Sequence, residues 1–225
     1  MGADRTLTTY EQVLLLGLHD EKGVDRTSTN TLDSGVAGAA LIDLLEHDAL
    51  AEDGDALVAT GTAPDDPLLA AIHAEIAREE RARKPKHWVD RLPGKLKPFR
   101  ELAARRLVEE GVLGEEHRKV LGLFPSTRFP ERDGAPEARL RSALHDVLVT
   151  GREPTPQEAS LIAVLRALDV VGEAVEREHR KQAKKRAKEV AEAGVASEAV
   201  RKAVQDVHAA VMTAVIASTV VTTSS

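Results

Sequence analysis

Apolar positions recur at spacings of three and four along most of the chain, and alternating runs are few and short. The pattern predicts a mostly α, compact helical domain with short β-hairpins, covering residues 1–225 as one unit. The first helix is expected over Thr8–Leu18, capped by Thr8 with Glu11 three residues on, and apolar on most sides from Val13 to Leu18. A second helix is read over Leu32–Leu45 on the stripe Val36, Ala37, Ala40, Leu41, Leu44 and Leu45. Gly35 and Gly38 inside it predict close approach of another backbone. Ala49–Leu50 and Ala56–Ala59 read as two short strands turning at Asp53-Gly54.

A helix over Leu68–Arg83 is expected to stop at Pro85. The stretch Arg91–Leu113 then reads as a loop opened by Pro93-Gly94. It feeds a helix on Phe99, Leu102, Ala103 and Leu107 that ends at Gly111 and turns into a short strand. This stretch is taken as the organising element. Leu44–Leu50 resembles Leu107–Leu113 at an offset of 63 residues by number, and each is followed by an acidic turn and an apolar strand, Leu57-Val58 and Val120–Phe124. The repeated unit is helix, short strand, turn, strand, the shape of a winged-helix wing. Pro125–Gly134 reads as a loop and Pro136–Leu148 as a helix. Thr155, Pro156 and Glu158 mark the start of another helix with a core over Leu161–Val175. Basic residues surround a helix over Glu176–Glu192, and a C-terminal helix runs to about Val221 as a buried element rather than a membrane anchor.

Charge changes this picture more than composition does. The net charge is −6, yet residues 78–106 carry +7 and residues 177–188 carry +6 against −12 over residues 1–77. Brought together, the two blocks would form a basic face on an acidic body and attract an anionic surface or an acidic partner. Pairing with the chain's own acids is the alternative. Cysteine is absent, which excludes disulfides and thiolate metal sites, and Trp88 and Tyr10 are the sole Trp and Tyr, so the core rests on Leu, Val, Ala and Ile. No secretory leader pattern opens the chain. The eight histidines show no His-Glu-x-x-His spacing, and no nucleophile elbow, phosphate loop, EF-hand or dinucleotide fingerprint is present. The sequence therefore points to no enzyme, cofactor or metal.

The string Leu7–Leu18 with Asp20–Gly23, then Ser34–Leu44, then Arg106–Leu113, in that order, resembles the Golgi phosphoprotein family, as do the late apolar helix and the Ala/Val-rich C-terminus. The resemblance implies a mostly helical domain and a peripheral membrane adaptor. In eukaryotic members such an adaptor binds phosphatidylinositol 4-phosphate and tethers cytosolic tails of glycosyltransferases. The family's basic pair falls on Lys97 and Arg100. Its pocket arginine falls on Ala37 and its tryptophan near Ser28, so half the lipid pocket is missing. The composition looks bacterial. Lys97, Arg100, Arg91, Lys95 and Trp88 are accordingly the expected head-group residues, with an anionic phospholipid or membrane surface as partner. The implied location is the cytoplasm, peripheral on the inner face of the cell membrane. The family's oligomer hairpin corresponds to Lys119–Phe129. Two other readings stand beside this one: a protein-interaction module without lipid, and a winged-helix-like nucleic-acid regulator, which the net acidity opposes.

Overall fold

The computed structural model describes residues 5–120, 124–193 and 201–222. In order the elements are α1 (Thr9–Gly17), α2 (Thr29–Glu46), β1 (Leu50–Asp53), β2 (Ala56–Ala59), α3 (Pro67–Ala77), α4 (Pro85–Lys95) and α5 (Phe99–Glu109). They continue with β3 (Glu116–Val120), β4 (Phe124–Arg128), α6 (Ala135–His145), α7 (Pro156–Ala167), α8 (Arg180–Ala193) and α9 (Arg201–Thr222). A π turn over Asp146–Thr150 extends α6, and short 3-10 turns at Val171–Glu173 and Arg177–His179 lead into α8. The strands form two separate antiparallel hairpins, β1 with β2 and β3 with β4. The expectation of a mostly α fold with short hairpins is met.

The centre of the fold is α2 rather than the Arg91–Leu113 stretch. It packs against α1, α3, α4, α7 and α9. Leu32, Val36, Leu41, Ile42 and Leu44 are all fully buried. A helix apolar on nearly all sides can only be satisfied by neighbours on nearly all sides. Buried side chains from Tyr10 to Ala214 form one continuous cluster around it.

The two glycines of α2 admit side chains, not a backbone. A Cβ on Gly35 would lie 2.6 Å from Leu168 Cδ1, and one on Gly38 would lie 2.2 Å from Val211 Cγ2. Gly38 is therefore the seat of α9. Gly38→Ala is expected to lower stability by about 1–3 kcal/mol despite alanine's better helix propensity, because Val211 is fully buried and has nowhere to retreat. Adding Val211→Ala should make the Gly38→Ala step nearly neutral or favourable in a thermal-melt mutant cycle. Additive losses would disprove the contact.

Helix ends follow local chemistry closely. Thr8 with Glu11 and Thr155 with Glu158 both form complete capping boxes. The offset of 63 has a physical basis: Asp48 (φ 55°) and Gly111 (φ 75°) occupy the same place after α2 and α5. In each case the next amide closes back on the helix, Ala49 N–H to Leu44 O and Val112 N–H to Leu107 O, both at 2.9 Å. Asp169 (φ 55°) ends α7 identically, with Val170 N–H donating to Leu165 O at 3.0 Å. That left-handed aspartate stops the helix short of the expected Val175.

Proline positions account for the other departures. The helix expected over Leu68–Arg83 ends at Ala77, where its apolar stripe runs out, and the chain then extends so that Arg83 bridges Leu57. Pro85 begins α4 instead of closing α3, since the first helical position needs no N–H. Pro93 lies in the last turn of α4, so Arg91 and Lys95 are helical residues, not loop residues. Val120 ends β3 and Phe124 begins β4, so the two ends of the expected strand Val120–Phe124 belong to different strands. Pro125–Arg128, expected as loop, belongs to β4. Leu121 and Leu123 of the expected oligomer hairpin lie outside the described residues, as does the hairpin tip itself.

Two buried carboxylates hold polar groups inside the apolar body. Asp66, 3 % exposed, caps α3 by accepting Leu68 N–H (3.0 Å) and Leu69 N–H (2.9 Å) on Oδ1. Its Oδ2 accepts the Tyr10 hydroxyl at 2.8 Å and Arg106 at 3.0 Å. Burial is the main reason that the Tyr10 phenol is pushed far above its ordinary range. Asp43 accepts the Thr9 and Tyr10 amides at 2.9 and 3.0 Å, satisfying two free N–H groups at the start of α1.

Candidate functional site

The apolar stripe of α4 dictates where its cations go. Pro85, Trp88, Val89 and Leu92 are buried, so Lys86, Asp90 and Arg91 face water. Trp88 is 1 % exposed and packs edge-on to the His87 ring at 5.2 Å. It is a core residue and forms no rim for a head group. Lys95 is exposed and pairs with Glu75 at 3.3 Å. Arg91 and Lys97 are exposed and make no hydrogen bond or ion pair among the described residues.

Lys97 and Arg100 do not behave as two residues on one helix face. Pro98 is the N-cap of α5, so Lys97 precedes the helix and the three-residue spacing loses its helical meaning. Arg100, only 14 % exposed at its side chain, turns toward the N-terminal half of the chain. Its Nε and Nη2 bind Asp33 Oδ1 at 2.9 and 2.6 Å, its Nη1 pairs with Asp25, and Nη2 approaches Thr29 O at 3.4 Å. Burial pushes the Asp33 carboxyl up, with the guanidinium opposing that shift.

Arg100 nevertheless lies at a cleft of about 500 Å³. The wall opposite α5 comes from the β3–β4 hairpin through Ser126, Thr127 and Arg128, and the end wall is the start of α2 with Thr27, Ser28 and Thr29. Ser28 caps α2 through its Oγ and the Thr31 N–H at 3.2 Å. The N-terminus of an 18-residue helix thus opens toward the cleft, a favourable surroundings for an anion. Arg128 brings a second guanidinium, and its Nε is buried without a hydrogen-bond partner. Acidic groups offset these: Asp25 lines the cleft, and Glu101 accepts the Thr127 hydroxyl at 2.9 Å. Ala37 is fully buried in α2. Sequence reading placed Thr127 and Arg128 in the expected hairpin Lys119–Phe129 as well as in a loop, but gave neither a head-group role, because their approach to the start of α2 is not local in sequence. The β3–β4 pairing of Glu116 with Arg128 gives Arg128 its place.

The second basic block does not join the first. α8 packs on α7 and on the turns before it, whereas α4 and α5 pack on α1, α2, α3 and α9. Its charges are largely matched locally: Arg180 with Glu173 (3.1 Å), Lys184 with Asp169 (2.8 Å), and Arg186 with Glu153 (3.1 Å). Exposed pairs of this kind contribute little stability but cancel field. The first block is similar, with Arg83 on Glu79, Lys86 on Asp90 and Arg106 on Asp66. Of the two alternatives, pairing with the chain's own acids is the one observed, and the two blocks form separate, mostly neutralised surfaces. Among the described residues, no helix is long and apolar enough to cross a membrane.

The cleft thus sets a helix N-terminus and the Arg128 guanidinium against Asp25 and Glu101, with Arg100 already neutralised by Asp25 and Asp33. Residues 10–207 match the sequence model of a family described as Golgi phosphoprotein 3 (GPP34).

Proposed function

Since the chain belongs to the Golgi phosphoprotein 3 family, we propose that it is a peripheral, non-enzymatic adaptor that meets membranes through an anionic phospholipid head group, phosphatidylinositol 4-phosphate-like in its phosphoryl chemistry. The observation that carries this reading is the cleft at the start of α2, where Arg128 lines the wall without an ion-pair partner among the described residues and the N-terminus of an 18-residue helix forms the end. Arg100 acts there as a fixed wall rather than a free cation, because two aspartates already hold it. Lys97 and Arg91, exposed and without ion-pair partners among the described residues, supply longer-range attraction to a negative surface.

Vesicle flotation tests the proposal with three compositions: phosphatidylcholine alone, with phosphatidylglycerol, and with phosphatidylinositol 4-phosphate. The chain should float with one or both anionic mixtures and not with the neutral one. Arg128→Gln with Lys97→Gln should lower the vesicle partition constant about tenfold or more, about 1.4 kcal/mol, the scale of one charge-assisted contact. Absence from every anionic vesicle at low salt would overturn it.

A second reading, a protein-interaction module without lipid, is favoured by the dense internal pairing of the basic residues. Another cleft of about 500 Å³ suits it, with Leu7, Val112 and Leu140 as apolar floor and Arg5, Arg139, Glu110, Asp133 and Glu158 as an edge of mixed charge. Such a surface fits a short peptide segment, including the cytosolic tail of a membrane protein.

A further inference from the structure

His145 ends α6 and His179 lies in the 3-10 turn before α8, 34 positions later in the chain, yet their rings approach to 5.6 Å between centroids. Glu176 stands beside them, and one donor atom from each of the three residues lies within 4.8 Å of the others. We propose that His145, Glu176 and His179 form a binding site for one late first-row divalent cation, with Zn²⁺ as the reference ion.

Local structure favours the set. His179 N–H donates to Glu176 O at 3.0 Å, so Glu176 and His179 sit three apart on a single turn and turn their side chains the same way. His145, the last residue of α6, meets that turn through its ring, and Gln182 of α8 holds the π turn that follows α6 by donating to Val149 O at 2.7 Å. The His145 side chain makes no hydrogen bond or ion pair among the described residues, so its ring nitrogens are available. Glu178 reaches His179 Nε2 at 3.3 Å, which leaves Nδ1 to ligate and supplies the kind of outer carboxylate that orients a metal-bound imidazole. A cavity of about 610 Å³ borders His145 and Glu176, with room for ligating water.

Neighbouring cations are accounted for. Arg141, one turn before His145, is held by Glu137 at 2.5 Å and by the Glu173 carbonyl, and Arg180 pairs with the Glu173 carboxylate at 3.1 Å. Arg177 is exposed to water next to Glu178. Tetrahedral zinc at about 2.0–2.1 Å from each ligand separates two donors by about 3.3 Å. Rotation of the exposed Glu176 and the half-buried imidazoles closes the remaining gap. Two imidazoles and one carboxylate select Zn²⁺ or Co²⁺ over Mg²⁺ and Ca²⁺. The bound ion would clip the end of α6 to the start of the basic helix α8.

The test uses the full chain freed of metal by chelation. Titration with Zn²⁺ should give one ion per chain, with a rise in melting temperature. Co²⁺ should give the intense visible bands of a four-coordinate site, and Mg²⁺ should not compete. His145→Ala and His179→Ala should each weaken Zn²⁺ binding by more than roughly 100-fold, beyond the loss typical of outer-shell changes. His117→Ala, on an exposed histidine of β3, should leave it unchanged. Circular dichroism of each variant confirms the fold. Absence of stoichiometric binding, or binding that persists in the His145→Ala/His179→Ala double variant, would overturn the assignment.

Discussion

Asp66→Ala is expected to be the most damaging single substitution among the polar residues, lowering unfolding free energy by about 4 kcal/mol. Four donors lose their acceptor at once. Two are the first amides of α3, whose loss as a capped end costs about 1 kcal/mol. The third is the Tyr10 hydroxyl, 1 % exposed, which has no water to turn to. An unpaired buried hydroxyl costs about 1–3 kcal/mol. The fourth is Arg106, partly open to solvent and so less penalised. Tyr10→Phe removes only one partner and should cost about 1 kcal/mol. Asp66→Asn keeps the cap but turns an N–H toward Arg106, and should fall between. Urea denaturation measures all three, and a loss below about 1 kcal/mol for Asp66→Ala would contradict the account.

The second large effect appears only against pH. Burial raises the Asp43 carboxyl to about 7, against the opposing pull of the Thr9 and Tyr10 amides. Burial lowers His208 to about 4, opposed by a backbone hydrogen bond at Ser160. The signs differ. Between about pH 4 and 7 folded Asp43 holds a proton that the unfolded chain has released, so its contribution to stability falls as pH rises. Between about pH 4 and 6.5 unfolded His208 holds a proton that the folded chain refuses, so its contribution is fully present above 6.5 and is lost as pH falls toward 4. Each spans on the order of 3–4 kcal/mol, and in the wild type they offset. Asp43→Asn should therefore fall further below wild type as pH drops from 7 to 4.5. His208→Leu should gain on wild type over the same range. Parallel stability profiles for wild type and both variants would refute the assignment.

Legibility in the sequence followed the range of the interaction. Thr8 with Glu11 and Thr155 with Pro156 and Glu158 act within one helical turn, and both helix starts were readable to the residue. Asp53-Gly54 marked the first hairpin for the same reason. Pro85 and Pro93 misled because a proline excludes itself only from helix interiors, and each stands near an end. Asp169 ended α7 unseen, since a left-handed backbone at a residue other than glycine has no strong local signature. The family strings gave the fold, while the site depended on distant partners. Arg100 meets Asp33 and Asp25 across 67 and 75 positions, and no spacing rule anticipates that a cation so placed is already taken. His145 and His179 are likewise joined only by the path of α6 and α8.

The Asp25–Arg100–Asp33 cluster also bears on residence time. With both carboxylates ionised it carries one net negative charge at the wall of the cleft, so an arriving phosphoryl group gains nothing from Arg100 unless it displaces an aspartate. In the proposed membrane role, attraction would then come from exposed Lys97 and Arg91 and from Arg128, and would be fast and weakened by salt. Encounters with a charged membrane would be frequent and brief. The chain would sample a surface continually rather than settle on it, and prolonged attachment would require a second, simultaneous contact with a protein partner.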